Sequence, residues 1–249
     1  MKIFLITLFA GFVAQMVDGT LGMAYGVSSS TLLRAMGIPS AMSSFCTHTA
    51  EIFTTLASGL SHLSMKNFER TLFRRLLIPG MAGGVLGAYV LTSVDDRILS
   101  PLISAYLIVM GFVIFLKVFS KKEKKPRKTG AWVIPLALAG GFSDSLGGGG
   151  WGPVVTSTLA AADHGIRETI GTVNVAEFFV TLAESAAFFV TIGSLAEYWP
   201  AVLGLIVGGV IAAPLAAWLC KRLPLKPLLA SVGLLIIALN TWKLVMTLR

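Results

Sequence analysis

One pattern, Asp-x3-Gly-x3-Gly, occurs at two places 126 residues apart in this chain. The first copy consists of Asp18, Gly22 and Gly26, and the second of Asp144, Gly148 and Gly152. The same offset aligns residues 50–57 with residues 176–183, where six of eight residues are identical. Such internal symmetry predicts two similar structural repeats, at 1–120 and 131–249, with a linker at 121–130 between them.

The composition of the chain indicates an integral membrane protein. Of its 249 residues 55% are apolar and only 13% are charged, against about 25% charged residues in soluble domains. The apolar runs at 101–116 and 201–220 approach, with their flanks, the roughly 20 residues that a membrane-spanning helix needs. The net charge of +8 lies mostly in short loops, which indicates contact with the lipid bilayer rather than with nucleic acid.

The charges of the loops predict how the two repeats are oriented. The linker carries six basic residues and one acidic residue, which favours the cytoplasmic side. When spans are counted outwards from this linker, the loop at 66–75 is inside and the loop at 95–97 is outside. The equivalent loops of the second half have the opposite placement, with 194–197 outside and 221–226 inside. We therefore predict an all-α protein of two inverted-topology repeats, each a broken-helix hairpin (3–36 and 131–162) followed by three transmembrane helices. The hairpin arms, of about 10 to 15 residues, leave open whether they are re-entrant or full spans.

The glycine-rich breaks in these hairpins are the predicted substrate site. Consecutive glycines and Pro153 interrupt the helix, and the helix that restarts after a break presents free backbone amides to an anion. Hydroxyl side chains follow each break and can donate neutral hydrogen bonds. The residues expected to bind substrate are Gly22, Gly26, Ser28, Ser29, Gly148, Gly149, Gly150, Trp151, Gly152, Thr156 and Ser157. Close packing of small residues is the alternative, and a shared site requires the breaks to lie within about 20 Å of each other.

Ionisable residues within the spans form a second signal. His48 and Glu51 stand one helical turn apart, as do their counterparts Asn174 and Glu177. We expect His48 and Asn174 to contact substrate, and Glu51 and Glu177 to act either in proton coupling or as structural carboxylates. Glu184 has no acidic counterpart, because position 58 is a serine.

Other polar residues have more ordinary interpretations. Asp18 and Asp144 are expected to cap the hairpin arms. Trp151 lies within a break, where it could gate or line the cavity. Five arginines are interpreted chiefly as orientation signals, with Arg34 in an external loop; they are Arg34, Arg70, Arg74, Arg75 and Arg167.

The two Asp-x3-Gly-x3-Gly copies, the run Gly147–Pro153 and the Ala-Glu-x-Phe helices together resemble the TauE/SafE family of sulfite exporters and sulfonate permeases. The similarity covers essentially the whole chain. The resemblance implies a multi-pass carrier of the bacterial inner membrane for sulfite, sulfoacetate or another organosulfonate. It does not indicate the exact anion or the direction of transport.

These observations favour a secondary transporter that exposes a central anion site alternately to the two sides. An anion channel that uses the breaks as a filter, and a transporter of another small anion such as a carboxylate, remain alternatives. An enzyme, a cofactor and a metal site are not expected, since the chain contains neither His-Glu-x-x-His nor Gly-x-Ser-x-Gly. The sequence leaves homo-oligomer formation open.

Overall fold

The computed structural model describes residues 1–21, 23–116, 119, 130–161, 166–219 and 225–248. All longer regular elements within these residues are helices. Gly22, most of the linker (121–129) and the loop at 221–224 lie outside the described residues, as does the side chain of Arg167. The predictions made for those residues therefore stay predictions.

Each half of the chain contains a broken segment followed by three long helices, as predicted. The first half comprises α1 (Lys2–Leu21), α2 (Tyr25–Ala35), α3 (Ser40–Ser64), α4 (Arg70–Ser93) and α5 (Asp96–Leu116). The second half comprises α6 (Val133–Gly147), a π-helical turn (Trp151–Thr156), α7 (Ser157–Ala161), α8 (Ile166–Ile192), α9 (Trp199–Leu219) and α10 (Leu225–Leu248). An offset of 126 residues places each element of the second half on its counterpart in the first.

The break in the second half follows from its local sequence. Helix α6 ends where Gly148 takes a left-handed conformation with φ of 68°, which costs glycine little because it lacks a Cβ atom. The chain then restarts at Trp151 as a π-helical turn that contains Pro153. Such turns are rare and often mark functional positions.

The two long arms of the hairpins differ more in length than the sequence predicted. Helix α1 has 20 residues, and its segment Lys2–Gly19 is long and apolar enough to cross a membrane. Helix α6 has only 15 residues. The prediction of two short arms was therefore wrong for α1, because this helix continues through Asp18 before it breaks.

Many of the helices pack on helices of the other half of the chain. Helix α1 packs on α9, and its counterpart α6 packs on α4, so each long hairpin arm lies against a helix of the other half. The counterparts α3 and α8 pack on each other, and so do α5 and α10. The inverted orientation of the halves in the membrane stays a prediction, because packing between helices does not define a bilayer side.

The distribution of polar and apolar side chains is that of a membrane protein. Large apolar residues such as Phe9, Ile78 and Val190 are exposed on the outside of the bundle, whereas five carboxylates are buried within it: Asp18, Glu51, Asp144, Glu177 and Glu184. Ionisable groups within spans generally face the protein interior in this way. Four of the described helical segments are long and apolar enough to cross a membrane: Lys2–Gly19, Arg70–Ser93, Asp96–Leu116 and Glu168–Ile192.

Candidate functional site

The two glycine breaks lie in direct contact. A Cβ atom added to Gly26 would stand 2.7 Å from the Cα atom of Gly149 and 2.8 Å from Oε1 of Glu51. Real Cβ atoms essentially never approach other atoms so closely, so only glycine fits at this crossing. The breaks are thus well within the separation that one small anion could bridge.

Aspartate caps hold both breaks in shape, as the sequence predicted. In the second half, Oδ1 of Asp144 accepts hydrogen bonds from the backbone N–H groups of Gly150 at 2.5 Å and Trp151 at 2.9 Å. In the first half, Oδ1 of Asp18 accepts one longer bond, 3.4 Å, from the backbone N–H of Tyr25. Tyr25 and Trp151 are equivalent at the 126-residue offset. An aspartate cap therefore occurs in both halves, with a longer hydrogen bond in the first half.

The hydroxyls that follow the breaks do not all face them. The buried hydroxyls of Ser28 and Thr156 have no hydrogen-bond partner among the described residues, whereas Ser29 forms a hydrogen bond with the side chain of Tyr25. Ser28 lines an apolar groove of about 210 Å³ between α1, α2 and α10, which is a different surface from the crossing. Ser30 is the hydroxyl that faces the opposite break, because a Cβ atom on Gly148 would meet its side chain.

A buried imidazole lies beside the crossing among carboxylates. Nδ1 of His48 lies 2.9 Å from Oε2 of Glu51 and 3.2 Å from Oε2 of Glu184. Its other nitrogen, Nε2, lies 3.3 Å from the backbone oxygen of Asp144. Both ring nitrogens therefore already face oxygens of the protein, an arrangement suited to binding a proton or another cation rather than an anion.

The equivalent position in the second half is less polar. The Nδ2 group of Asn174 donates to the backbone oxygen of Ile170 in its own helix, at 2.9 Å. Glu177 is buried and interacts electrostatically with Asp18, Glu51 and Asp144. The structure thus gathers the predicted carboxylates around the breaks but gives His48 and Asn174 different surroundings.

Trp151 packs in the core in this arrangement. Its side chain is fully buried, its ring lies against Gly80, and its Nε1 donates to the backbone oxygen of Val173 at 3.3 Å. Trp151 lines neither the groove beside Ser28 nor the two cavities along the α3–α8 pair. A gating role for this tryptophan stays a prediction.

These two cavities are related by the internal repeat. One of about 460 Å³ lies between α3 and α8 near the start of α9, and one of about 310 Å³ lies between the same helices near the start of α4. Their linings correspond at the 126-residue offset in the pairs Leu182 and Leu56, Ser185 and Gly59, Phe189 and Leu63, and Trp199 and Phe73. Each cavity thus approaches the α3–α8 pair from its own end.

Arg34 differs from its sequence interpretation. It is only 2% exposed rather than in an external loop. Its guanidinium donates to the backbone oxygen of Ser100 at 2.9 Å, to Oγ of Ser104 at 3.0 Å and to Oδ1 of Asn240 at 3.1 Å. It therefore links α2 to α5 and α10 instead of acting as an orientation charge, because neutral oxygens on those helices satisfy its N–H groups. Arg70 and Arg74 are exposed, in keeping with their interpretation.

Sequence reasoning missed several residues of this region. Ser44 donates to the backbone oxygen of Ser145 at 2.5 Å, and Ser145 donates to that of Gly84 at 2.6 Å. The buried hydroxyl of Tyr106 lies against Gly150. The concentration of Ser and Thr in residues 40–49 was the available signal for Ser44, whereas nothing near Tyr106 in sequence points to the break.

Comparison with known proteins gives one family. The profile of the family described as "Sulfite exporter TauE/SafE" matches residues 7–241. "Probable membrane transporter protein YtnM" of Bacillus subtilis (strain 168) is 38% identical over 252 residues, covering 98% of this chain and 84% of that protein. No solved structure matches the chain.

Proposed function

This chain belongs to the sulfite exporter family TauE/SafE and is a multi-pass membrane transporter, and from that premise we propose that it carries a small sulfur-containing anion. Sulfite, or an organosulfonate such as sulfoacetate, is the proposed substrate class. The membrane is proposed to be the bacterial inner membrane. Transport proceeds by alternating exposure of one central site, to which both breaks contribute.

The observation that carries this proposal is the contact between the two breaks. Gly26 and Gly149 meet where α2 and the π-helical turn begin, so the amino-terminal ends of two helices, one from each repeat, converge on one region. The side chain of Ser30 faces Gly148, and the hydroxyl of Thr156, at the end of the π-helical turn, is buried and has no hydrogen-bond partner among the described residues. Amides and neutral hydroxyls are the donors that suit sulfite or sulfonate oxygens.

The repeat-related cavities support alternating exposure. They lie at different ends of the α3–α8 pair, and neither is lined by Gly26 or Gly149. Because the breaks touch, the site is closed in this arrangement, and an anion enters only when the breaks separate. A movement that opens one cavity towards the breaks while it closes the other is the expected transport step.

Anion binding is tested by thermal unfolding of the detergent-purified protein with sulfite, sulfoacetate, taurine, sulfate or acetate. We expect sulfite or sulfoacetate to raise the unfolding temperature in a concentration-dependent way, since a ligand that binds only the folded state stabilises it. Stabilisation by acetate or by cations alone would contradict the substrate class. Counterflow between labelled and unlabelled substrate in proteoliposomes then separates a carrier from a channel, which does not show it.

Glu51 and Glu177 are the proposed coupling carboxylates. Replacing either one with glutamine should flatten the pH dependence of transport, which for one obligatory proton reaches about tenfold per pH unit. Glutamine has a similar shape but binds no coupling proton. Transport would be measured in proteoliposomes over a range of pH, with Glu197→Gln as the control because Glu197 is exposed. An unchanged pH profile in both variants would remove these residues from the coupling mechanism.

A further inference from the structure

Two buried ionisable residues that depart from the internal repeat lie against each other. His48 occupies the position of Asn174, and Glu184 occupies the position of Ser58. These departures are 136 residues apart in sequence, yet Nδ1 of His48 and Oε2 of Glu184 are only 3.2 Å apart. One of two repeat-related positions on the α3–α8 pair therefore carries an ionisable pair, and the other carries neutral side chains.

The geometry around the imidazole requires a proton between it and the carboxyl groups. Nε2 faces the backbone oxygen of Asp144, which can only accept, so Nε2 carries a hydrogen atom. Nδ1 then faces Oε2 of Glu51 and Oε2 of Glu184. An unprotonated nitrogen and two carboxylates would present lone pairs only, so a proton resides on Nδ1 or on one of the two carboxyl groups.

The surroundings leave this cluster short of positive charge. His48 and Glu184 are both 0% exposed, and the one cation that lies against the carboxyl group of Glu184 is the imidazole of His48, among the described residues. Oδ2 of Asp144 has no hydrogen-bond partner within the same part of the chain. The charged groups that face the cluster from α1, α3, α6 and α8 are Asp18, Glu51, Asp144, Glu177 and Glu184. Buried carboxylates without a cation are strongly disfavoured, so the cluster is suited to taking up a proton.

We propose that His48, Glu184 and Glu51 form the proton-binding site of this transporter, directly beside the anion site at the glycine breaks. The role of this proton in transport rests on the proposed function, whereas proton binding itself does not. Because the counterpart residues Asn174 and Ser58 are neutral, a histidine–glutamate pair occurs at only one of the two repeat-related positions. Glu184 is thereby assigned to the site although the repeat gives it no acidic counterpart.

A nearby cavity offers the proton a path. Thr49 and Ser185 are the chain neighbours of His48 and Glu184, and both line the cavity of about 460 Å³ near the start of α9. The hydroxyl of Ser185 has no hydrogen-bond partner, so it can bind water that enters the cavity. The proton is therefore expected to reach the cluster from that end of the α3–α8 pair.

Infrared spectroscopy of the detergent-purified full chain tests the site without any transported substrate. Difference spectra between two pH values should show the protonated-carboxyl band of this cluster, which is recognised because it changes over the same pH range as the ¹⁵N NMR signal of one of the three histidines. Glu184→Gln should remove most of the band and shift the histidine titration. Glu168→Gln, on the same helix but exposed, should leave both unchanged.

A second variant keeps the test valid if Glu184→Gln does not fold. The double change His48→Asn with Glu184→Ser installs the side chains that the chain already carries at the counterpart positions 174 and 58, and it should likewise lack the band. A band that persists in both variants would overturn the proposal. So would one equivalent of bound metal in the wild-type protein that Glu184→Gln removes. If none of the anions raised the unfolding temperature, the spectroscopic result would be unaffected. The anion proposal and the proton-site proposal can therefore be contradicted separately.

Discussion

Transport by the Gly149→Ala variant should fall by about fivefold or more, since overpacking of this kind costs about 1–3 kcal/mol and each 1.4 kcal/mol is a factor of about ten. The added Cβ atom would overlap the backbone of Gly26 and Val27. Backbone atoms cannot rotate away as a side chain can, so the two breaks would be held apart. Initial rates of labelled sulfite uptake into proteoliposomes would measure the loss.

Gly59→Ala is the matched control for this experiment. Gly59 is buried like Gly149 but lies within helix α3, and a Cβ atom there would stand 3.5 Å from Val175, an ordinary contact. Alanine is moreover a better helix former than glycine. Near-normal transport by Gly59→Ala is therefore expected. Equal losses in both variants would show that small residues are needed for helix packing in general, as the alternative interpretation of the breaks holds.

Asp144→Ala should lower the stability of the protein by about 2–6 kcal/mol, because each of two buried donors left without a partner costs about 1–3 kcal/mol. The donors are the backbone N–H groups of Gly150 and Trp151. For a chain of this size we expect the unfolding temperature in detergent to fall by about 5 °C or more. Asp144→Asn should lower the stability much less, since the side-chain oxygen of asparagine can still accept both hydrogen bonds.

The repeat provides an internal comparison for this prediction. Within the part of the chain that the structure describes, Asp18 accepts one bond, from Tyr25 at 3.4 Å, so Asp18→Ala should lower the unfolding temperature by less than Asp144→Ala does. Equal shifts for the two alanine variants would mean that the carboxylate of Asp144 acts through something other than these amides. A larger shift for Asp144→Asn than for Asp144→Ala would lead to the same conclusion.

Much of the fold was predictable because its determinants are local or periodic. Apolar runs predicted the long helices, and Gly148 with its neighbouring glycines predicted where the second hairpin breaks. The 126-residue offset predicted that each half repeats the same order of elements. Asp18 and Asp144 were recognised as caps because a carboxylate before a break has few other low-energy uses in a membrane.

The details of the site depend on which way each helix faces, and that is set by distant residues. Ser28 and Ser30 belong to the same short helix, yet only Ser30 faces the opposite break. Arg34 appears external by its position at a helix end, but oxygens contributed by α5 and α10 accept its hydrogen bonds in the interior. The contact of His48 with Glu184 likewise joins two helices from different halves. Such pairings are invisible in a single sequence.

The exchange of helix partners between the halves has a consequence for biosynthesis. Helix α1 packs chiefly on α9, which is synthesised almost 180 residues later. During translation, α1 is therefore in the bilayer before its final packing partner exists. Neither half contains a complete set of its own packing partners. A chain cut in the linker should therefore yield two fragments that are each degraded when expressed alone and that protect each other when co-expressed.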